Sequence, residues 1–487
     1  MSQASQVSPM PVGILLGLPG SGKSREFLLE VIETPGFYLI FSPIIDLIEE
    51  QTKALRLADP AIIVMEAHCE VRGSRQRVQA RLDEARKSVE GTSHLRAVIF
   101  ATHESLMTCD LSEFGDWHVR IDEAPNALQS GKINMGQTAA YFAATFDLEP
   151  VGKWSLLRPK AGLGNWKETA QDTLLGDQAN FIKAAQRPSG VFVNIVDWQD
   201  AKSFEWCSVW SPTFLRHTRS VKIAGASYMK SLSFRAVNRW WGDEVSYQTR
   251  EIARHRTGFP SISIHYFTQA HDGTTKLWEE SIGRKFIKAI CDYLTGHEPS
   301  LGFWSGNKVV RWLMEHRVNG EPLKPKQAGM NEFADAESCA FIYSSKPLDG
   351  DAPLRSSFEI THEEILTARE TEDIFQFVFR GAIRRPEYDG AYSIYLHTRR
   401  QAETLKSRIE ETGIARSVDL VPVDAAGIMD ATVARSARNS DNRARPSAER
   451  IARPNGRTVL AKSEKRKQQR AIKKNGSASL PATPHRR

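Results

Sequence analysis

Gly17-Leu18-Pro19-Gly20-Ser21-Gly22-Lys23-Ser24 satisfies the pattern G-x-x-x-x-G-K-[ST] at every fixed position, directly after the apolar run Val12 to Leu16. Residues of these types at this spacing cradle phosphate. The glycines let successive backbone N–H groups curl around a β-phosphate, Lys23 reaches the β- and γ-phosphates as a point charge, and the Ser24 hydroxyl can ligate Mg²⁺. Glu26, Phe27, Leu28 and Val31 continue as a helix whose N-terminal dipole faces the phosphates. The loop from Gly17 to Ser24 is therefore expected to bind a nucleotide through its phosphates, together with Mg²⁺.

Asp122-Glu123-Ala124-Pro125 follows later in the chain, at the end of the strand-like run Trp117 to Ile121. An acidic pair at the carboxyl end of a strand supplies what a phosphate loop lacks. Asp122 can hold Mg²⁺ through its water shell, and Glu123 can polarise the water that attacks a γ-phosphate. The strand itself is irregular, because His118 and Arg120 alternate with Trp117, Val119 and Ile121, whereas a central parallel strand is usually apolar on both faces. Polar partners are expected on one of its faces.

Gln376, Arg380 and Arg384, spaced i, i+4 and i+8, predict one stripe of a helix that Pro386 ends. Ile374, Phe375, Phe377, Val378, Phe379 and Ile383 make the rest of that helix apolar, so it should be largely buried. Buried arginines need an anionic partner. A γ-phosphate reached across a domain cleft would serve, and the arginines would then stabilise the charge of phosphoryl transfer; local acids such as Glu372 and Asp373 are the other possibility.

The elements around these groups alternate between strand and helix patterns. Phe37 to Phe41, helical Ile45 to Leu57, Ala61 to Met65, helical Ser74 to Val89, Ala97 to Ala101 and Trp117 to Ile121 form one series. Ser261 to Phe267, helical Leu277 to Leu294, Leu301 to Trp304, Cys339 to Tyr343, helical Glu372 to Arg385, Ala391 to Leu396 and helical Gln401 to Glu411 form a second. Such βαβ series predict two α/β domains in tandem, each with a mainly parallel sheet. The boundaries read as 1–240 for the first domain, with an inserted subdomain at 126–217, and 241–425 for the second, with 426–487 as a tail. Trp154, Trp166, Trp198, Trp206 and Trp210 of the insertion can build a core or stack unpaired bases.

The net charge of +7 is unevenly spread. Residues 431–487 carry 16 Lys and Arg against Asp441, Glu449 and Glu464, a charge of +13, which leaves −6 for the rest. With few large apolar residues, this stretch reads as a disordered basic arm suited to a polyanion, with a short helix at Ala461 to Lys474. The five cysteines are scattered singly, without C-x-x-C spacing, which argues against a disulfide framework or a zinc site and fits a reducing, cytoplasmic setting. Neither a signal peptide nor a membrane-length apolar run is present, so no membrane partner is expected.

Over Val12 to Glu411 the chain resembles the superfamily 2 helicases with two RecA-like domains and a DEAD/DEAH-type box. Gly17 to Ser24 corresponds to motif I, Asp122-Glu123-Ala124-Pro125 to motif II, with Pro125 in place of the usual Asp or His, and Gln376, Arg380 and Arg384 to motif VI. Phe41-Ser42-Pro43 is similar to motif Ia and Ala101-Thr102-His103 to the Thr-containing element after it. The resemblance implies that Ser42, Pro43, Thr102 and His103 contact the nucleic-acid backbone. Ala224-Gly225-Ala226-Ser227 is similar to the Ser-Ala-Thr motif that couples the domains, and Gly329-Met330-Asn331 to motif V.

Motifs and resemblance together predict two tandem RecA-like P-loop domains forming an ATP-dependent helicase or translocase on nucleic acid, with DNA the expected polymer. Lys23, Glu123, Gln376, Arg380 and Arg384 would do the chemistry, and Ser24 and Asp122 would hold the metal. The resemblance places its partners among replication or recombination proteins. Two other readings share the first domain: a packaging-type motor that takes its arginine from a neighbouring subunit, and a nucleic-acid-binding protein that uses ATP only as a switch.

Overall fold

A computed structural model describes residues 8–69, 77–91, 95–135, 139–151, 154–160, 178–200, 202–253, 255–269, 273–325, 332–347, 351–423 and 430 of the 487-residue chain. Trp166, Gly329-Met330-Asn331 and the basic tail, including Ala461 to Lys474, lie outside the described residues. Among the described residues no helix is long and apolar enough to cross a membrane.

From the N-terminus the strands are β1 (Met10–Leu16), β2 (Gly36–Ser42), β3 (Ile63–Ala67), β4 (Arg96–Thr102), β5 (His118–Asp122), β6 (Leu128–Asn134), β7 (Phe146–Val151), β8 (Trp154–Pro159), β9 (Val191–Asn194), β10 (Ser203–Val209), β11 (Ser220–Ala224) and β12 (Val245–Glu251). The first sheet runs β12-β1-β11-β5-β2-β4-β3, and every neighbouring pair in it is parallel. The central strands β2 and β4 are apolar runs because both of their faces are covered. Val12, Ile14, Leu39 and Ile99 enter one core, while Tyr38, Ile40, Val98 and Phe100 enter the other. The helix Ile45–Ala58 buries Ile48, Gln51, Thr52 and Leu55, a helical stripe that includes two polar residues.

Polar partners do cover one face of β5. Arg120 is almost fully buried and forms a two-point pair with Glu30, Nε to Oε2 at 2.9 Å and Nη2 to Oε1 at 2.7 Å. Lys222 of β11 reaches the same carboxylate at 2.9 Å, and His118 bonds the Ser220 hydroxyl at 2.7 Å while stacking on Tyr38. Burial alone would raise the Glu30 carboxyl; the hydrogen bonds and charges of Arg120 and Lys222 overcome it and bring it down to about 2 from 4.5. A depressed carboxyl stabilises the fold above its unfolded value, and that contribution fades as pH falls from about 4.5 towards 2. Replacing Glu30 by alanine leaves Arg120 buried without its partner and is expected to cost about 3 kcal/mol at pH 7. Urea midpoints should show this gap narrowing between pH 5 and pH 3; a gap independent of pH would contradict the ion-pair account.

The inserted sheet is antiparallel, ordered β6-β10-β9-β8-β7. Phe142, Phe146, Phe181, Phe204 and Trp206 fill one of its faces, so the aromatic richness of the insertion serves mainly as core. Trp206 and Trp210 are both buried, which takes them out of base stacking. The other face, with Leu128, Leu156, Phe192 and Val209, packs on the helix Leu232–Trp241 and on Leu354, Phe358, Ile360 and Ile365 from the second lobe. Trp240 sits between Phe192, at 4.6 Å, and Phe358, at 4.5 Å. The insertion therefore touches both lobes.

The second lobe contains β13 (Ser261–Thr268), β14 (Phe303–Gly306), β15 (Glu321–Pro322), β16 (Ser338–Ile342), β17 (Ala391–Thr398) and β18 (Ser417–Pro422), ordered β15-β14-β16-β17-β13-β18 and again wholly parallel. Two tandem α/β lobes with parallel sheets and an inserted subdomain are thus the architecture of the chain.

Three boundaries differ from the sequence expectation. β12 pairs with β1 along its whole length, so the first sheet extends to Glu251 rather than ending by 240. The helix expected over Leu277 to Leu294 is two helices, Thr275–Glu279 and Ser281–His297, parted at extended Glu280. The helix expected over Glu372 to Arg385 stops at Val378, and Ala382–Arg384 forms a separate 3₁₀ turn. A Cβ on Gly381 would collide with the Tyr392 hydroxyl of β17, so the chain turns where the sheet presses against it. Sequence periodicity does not register that contact.

Candidate functional site

β1 ends at Leu16, and the chain then enters the left-handed region at Gly17, Gly20 and Gly22, with φ of +149°, +80° and +95°. Glycine is required there twice over at Gly17, where a Cβ would lie 2.7 Å from Ser21 Oγ. Nothing lies near a Cβ built on Gly22, which leaves open space at the start of the helix Lys23–Glu33. That helix has no side-chain cap, so its first N–H groups are available to an anion. Lys23 Nζ donates to the carbonyls of Gly17 and Leu18, each at 2.8 Å. Burial lowers its pKa to about 8, against the opposing pull of Glu123 and Asp122.

Ser24 donates to Asp122 Oδ1 at 2.8 Å, which brings a hydroxyl and a carboxylate from two elements together. Hard oxygen donors of this kind suit Mg²⁺. The other Asp122 oxygen accepts from Gln51 Nε2 at 2.6 Å, and Gln51 Oε1 accepts from the Ser42 hydroxyl at 2.9 Å. Burial raises the Asp122 carboxyl, and these hydrogen bonds work against the rise. Glu123 adopts φ +65°, unusual for a residue with a side chain. Its carboxyl is raised to about 7 by burial and by Asp122 beside it.

The second lobe closes the site from the opposite side. A Cβ on Gly20 would run into the Arg384 side chain, so Arg384 rests on the phosphate loop. Arg380 is buried, and its Nη1 has no hydrogen-bond partner among the described residues. Burial lowers the Arg380 pKa to about 10, and the Glu123 carboxylate opposes that shift. An arginine nitrogen held out of water without an acceptor is costly, and a phosphate oxygen would satisfy it. Gln376 Nε2 donates to Glu372 at 2.8 Å.

Lys23, Ser24, Asp122, Glu123, Gln376, Arg380 and Arg384 all line one cleft of about 660 Å³, a volume suited to a nucleotide. Pro19, Gly20 and Gly22 of the loop line it too, while Leu18 packs against the core of the second lobe. The backbone-contact residues are a different matter. Ser42 is fully buried and donates to Gln51, which in turn bonds Asp122, and buried His103 bonds the Asp122 carbonyl through Nε2 at 2.8 Å. Both support the acidic motif from within rather than facing a ligand surface. The Thr102 side chain caps the helix His103–Thr108 by accepting from the Ser105 N–H, and Pro43 is half-buried in the turn after β2. Sequence reasoning missed Gln51 and Arg408, which also line the cleft. The signal for Gln51 was a polar residue on the buried stripe of an amphipathic helix.

No family model matches the chain, and no curated protein matches it. Among solved structures it is similar to an XPD helicase, with a TM-score of 0.49, 11% identity, and coverage of 85% of this chain and 96% of the other. It is also similar to Xpd4 of S. tokodaii, with a TM-score of 0.45, 13% identity, and coverage of 84% and 95%. Dbp5 of S. cerevisiae, bound to RNA and ADP BeF3, gives a TM-score of 0.41, 10% identity, and coverage of 88% and 90%. The two-lobed fold stands on the parallel sheets themselves.

Proposed function

We propose that the chain is an ATP-dependent nucleic-acid helicase or translocase, with DNA as its polymer, that hydrolyses ATP in the cleft between its lobes. The observation that carries this reading is the meeting of the phosphate loop and acidic pair of one lobe with Arg380, whose Nη1 has no partner among the described residues, from the other. Lys23 and the loop N–H groups bind the triphosphate, and Ser24 and Asp122 would hold Mg²⁺. The metal, when bound, supplies neutralisation of phosphate charge. Glu123 accepts a proton from the attacking water as its oxygen bonds the γ-phosphorus, and the bond to the bridging oxygen breaks with its electron pair leaving on ADP. Arg380 stabilises the charge that spreads over the transferred group.

Both arginines come from the same chain as the phosphate loop, which favours this reading over a ring motor that borrows its arginine. The intact Glu123 favours turnover over a pure switch. Opening and closing of the cleft would move the lobes along a strand, and the +13 of residues 431–487 would raise affinity for the polyanion in a salt-dependent way. Fluorescence anisotropy with labelled single-stranded DNA and RNA tests the polymer part of the reading. Binding that weakens steeply with salt and changes with a non-hydrolysable ATP analogue is the expected result. Nucleotide binding with no affinity for either polymer would remove the motor reading.

A further inference from the structure

A third arginine enters the cleft from the helix Arg399–Thr412. The Arg408 guanidinium lies 3.8 Å from the centroid of the Phe375 ring, a stacking contact that fixes its plane. Its Nη2 donates to Glu372 Oε2 at 2.6 Å and also to the Ser227 hydroxyl. Glu372 accepts Gln376 Nε2 on its remaining oxygen. Ser227 belongs to the first lobe, whereas Arg408, Glu372 and Gln376 belong to the second. One guanidinium nitrogen therefore closes a polar bridge across the cleft.

At the first-lobe end, the loop holding Ser227 is fastened to the nucleotide machinery. The Gly225 N–H donates to the Leu15 carbonyl at 3.0 Å, on the strand that leads into the phosphate loop. A Cβ on Gly225 would lie 3.5 Å from the backbone nitrogen of Ala124, next to Glu123. At the second-lobe end, Glu372 is a carboxylate within electrostatic reach of both Lys23 and Glu123. Burial acts to raise its carboxyl, but Arg408 holds it below the usual carboxylate range. Without Arg408 this charge would be free to oppose a triphosphate or to draw Lys23 away from it.

We propose that Arg408 is a positioning residue that couples the nucleotide site to the relative placement of the lobes, by holding Glu372 and Gln376 in line with the acidic pair while Ser227 is within its reach. The inference rests on the reading of the cleft as an ATP site. Lysine at this position keeps the charge but loses the stacked plane and the reach. The charge role and the bridging role therefore separate in the Arg408→Lys variant.

The test uses the full chain and the single-stranded polymer that the wild type binds. The readout is the ratio of its dissociation constants with and without a non-hydrolysable ATP analogue. A wild-type ratio on the order of tenfold is expected. Arg408→Lys, measured with the analogue at saturation for that variant, should bring the ratio to within about twofold of one. Ser227→Ala should do the same, and the double variant no more, because both break one bridge. Ser227→Ala removes a single hydroxyl, so it carries the test if the arginine variant fails to fold. A wild-type ratio retained in both variants, or two effects that multiply, overturns the assignment of Arg408 and leaves the ATP reading standing. A wild-type ratio of one overturns this inference, and failure of the analogue to bind the wild type overturns the ATP reading as well.

Discussion

The Arg380→Ala variant is expected to hydrolyse ATP on the order of 10³-fold more slowly than wild type, with nucleotide affinity reduced far less. The asymmetry follows from where the side chain sits. Arg380 is buried, its guanidinium lies 5.6 Å from the Phe377 ring, and Nη1 has no acceptor among the described residues. An unsatisfied, fixed donor gains most when negative charge grows beside it, and charge on the γ-phosphoryl group is greatest in the transition state. Arg384 is placed differently, against Gly20 of the phosphate loop. Arg384→Ala should therefore raise KM for ATP more than it lowers kcat. Single-turnover and steady-state measurements on the two variants separate these effects. Equal losses in kcat and affinity for both would contradict the division of labour.

Glu123→Gln is the second large effect, with turnover expected to fall by roughly 10² to 10⁴. The amide keeps the shape of the side chain but cannot accept a proton from water. Because Lys23, Ser24 and Asp122 remain, the variant should still bind ATP, and mixing it with nucleotide and polymer should trap the bound state rather than abolish it. Equilibrium binding of a fluorescent ATP analogue checks this alongside the rate. A variant that loses binding and turnover together would give Glu123 a structural role. Its φ of +65° makes that alternative worth excluding, and Glu123→Asn, from a residue type that tolerates this backbone region well, serves as the control.

The glycine-rich turn from Gly17 to Ser24 was legible in the sequence because it is local: Gly17, Gly20 and Gly22, within eight consecutive residues, set its backbone. The two α/β series were legible for a similar reason, since strands buried on both faces are written as apolar runs. Arg120 and His118 signalled correctly that β5 needs polar partners, although the sequence did not name Glu30, which lies on another element. The break after Val378 was hidden, because it depends on β17 pressing against Gly381. Even so, Gln376, Arg380 and Arg384 line the same cleft without sharing one helix. Ser42 and His103 show the reverse case. The motif resemblance implied that they contact a nucleic-acid backbone, yet both are buried, Ser42 donating to Gln51 and His103 bonding the Asp122 carbonyl, and only three-dimensional packing decides which way such residues face.

Steady-state ATP hydrolysis by the full chain, with and without single-stranded DNA and RNA and beside a Lys23→Ala control, tests the central claim most directly. Mg²⁺-dependent turnover, stimulated strongly by single-stranded DNA and lost in the control, is the expected result. Turnover that is absent, or that survives Lys23→Ala, would contradict it.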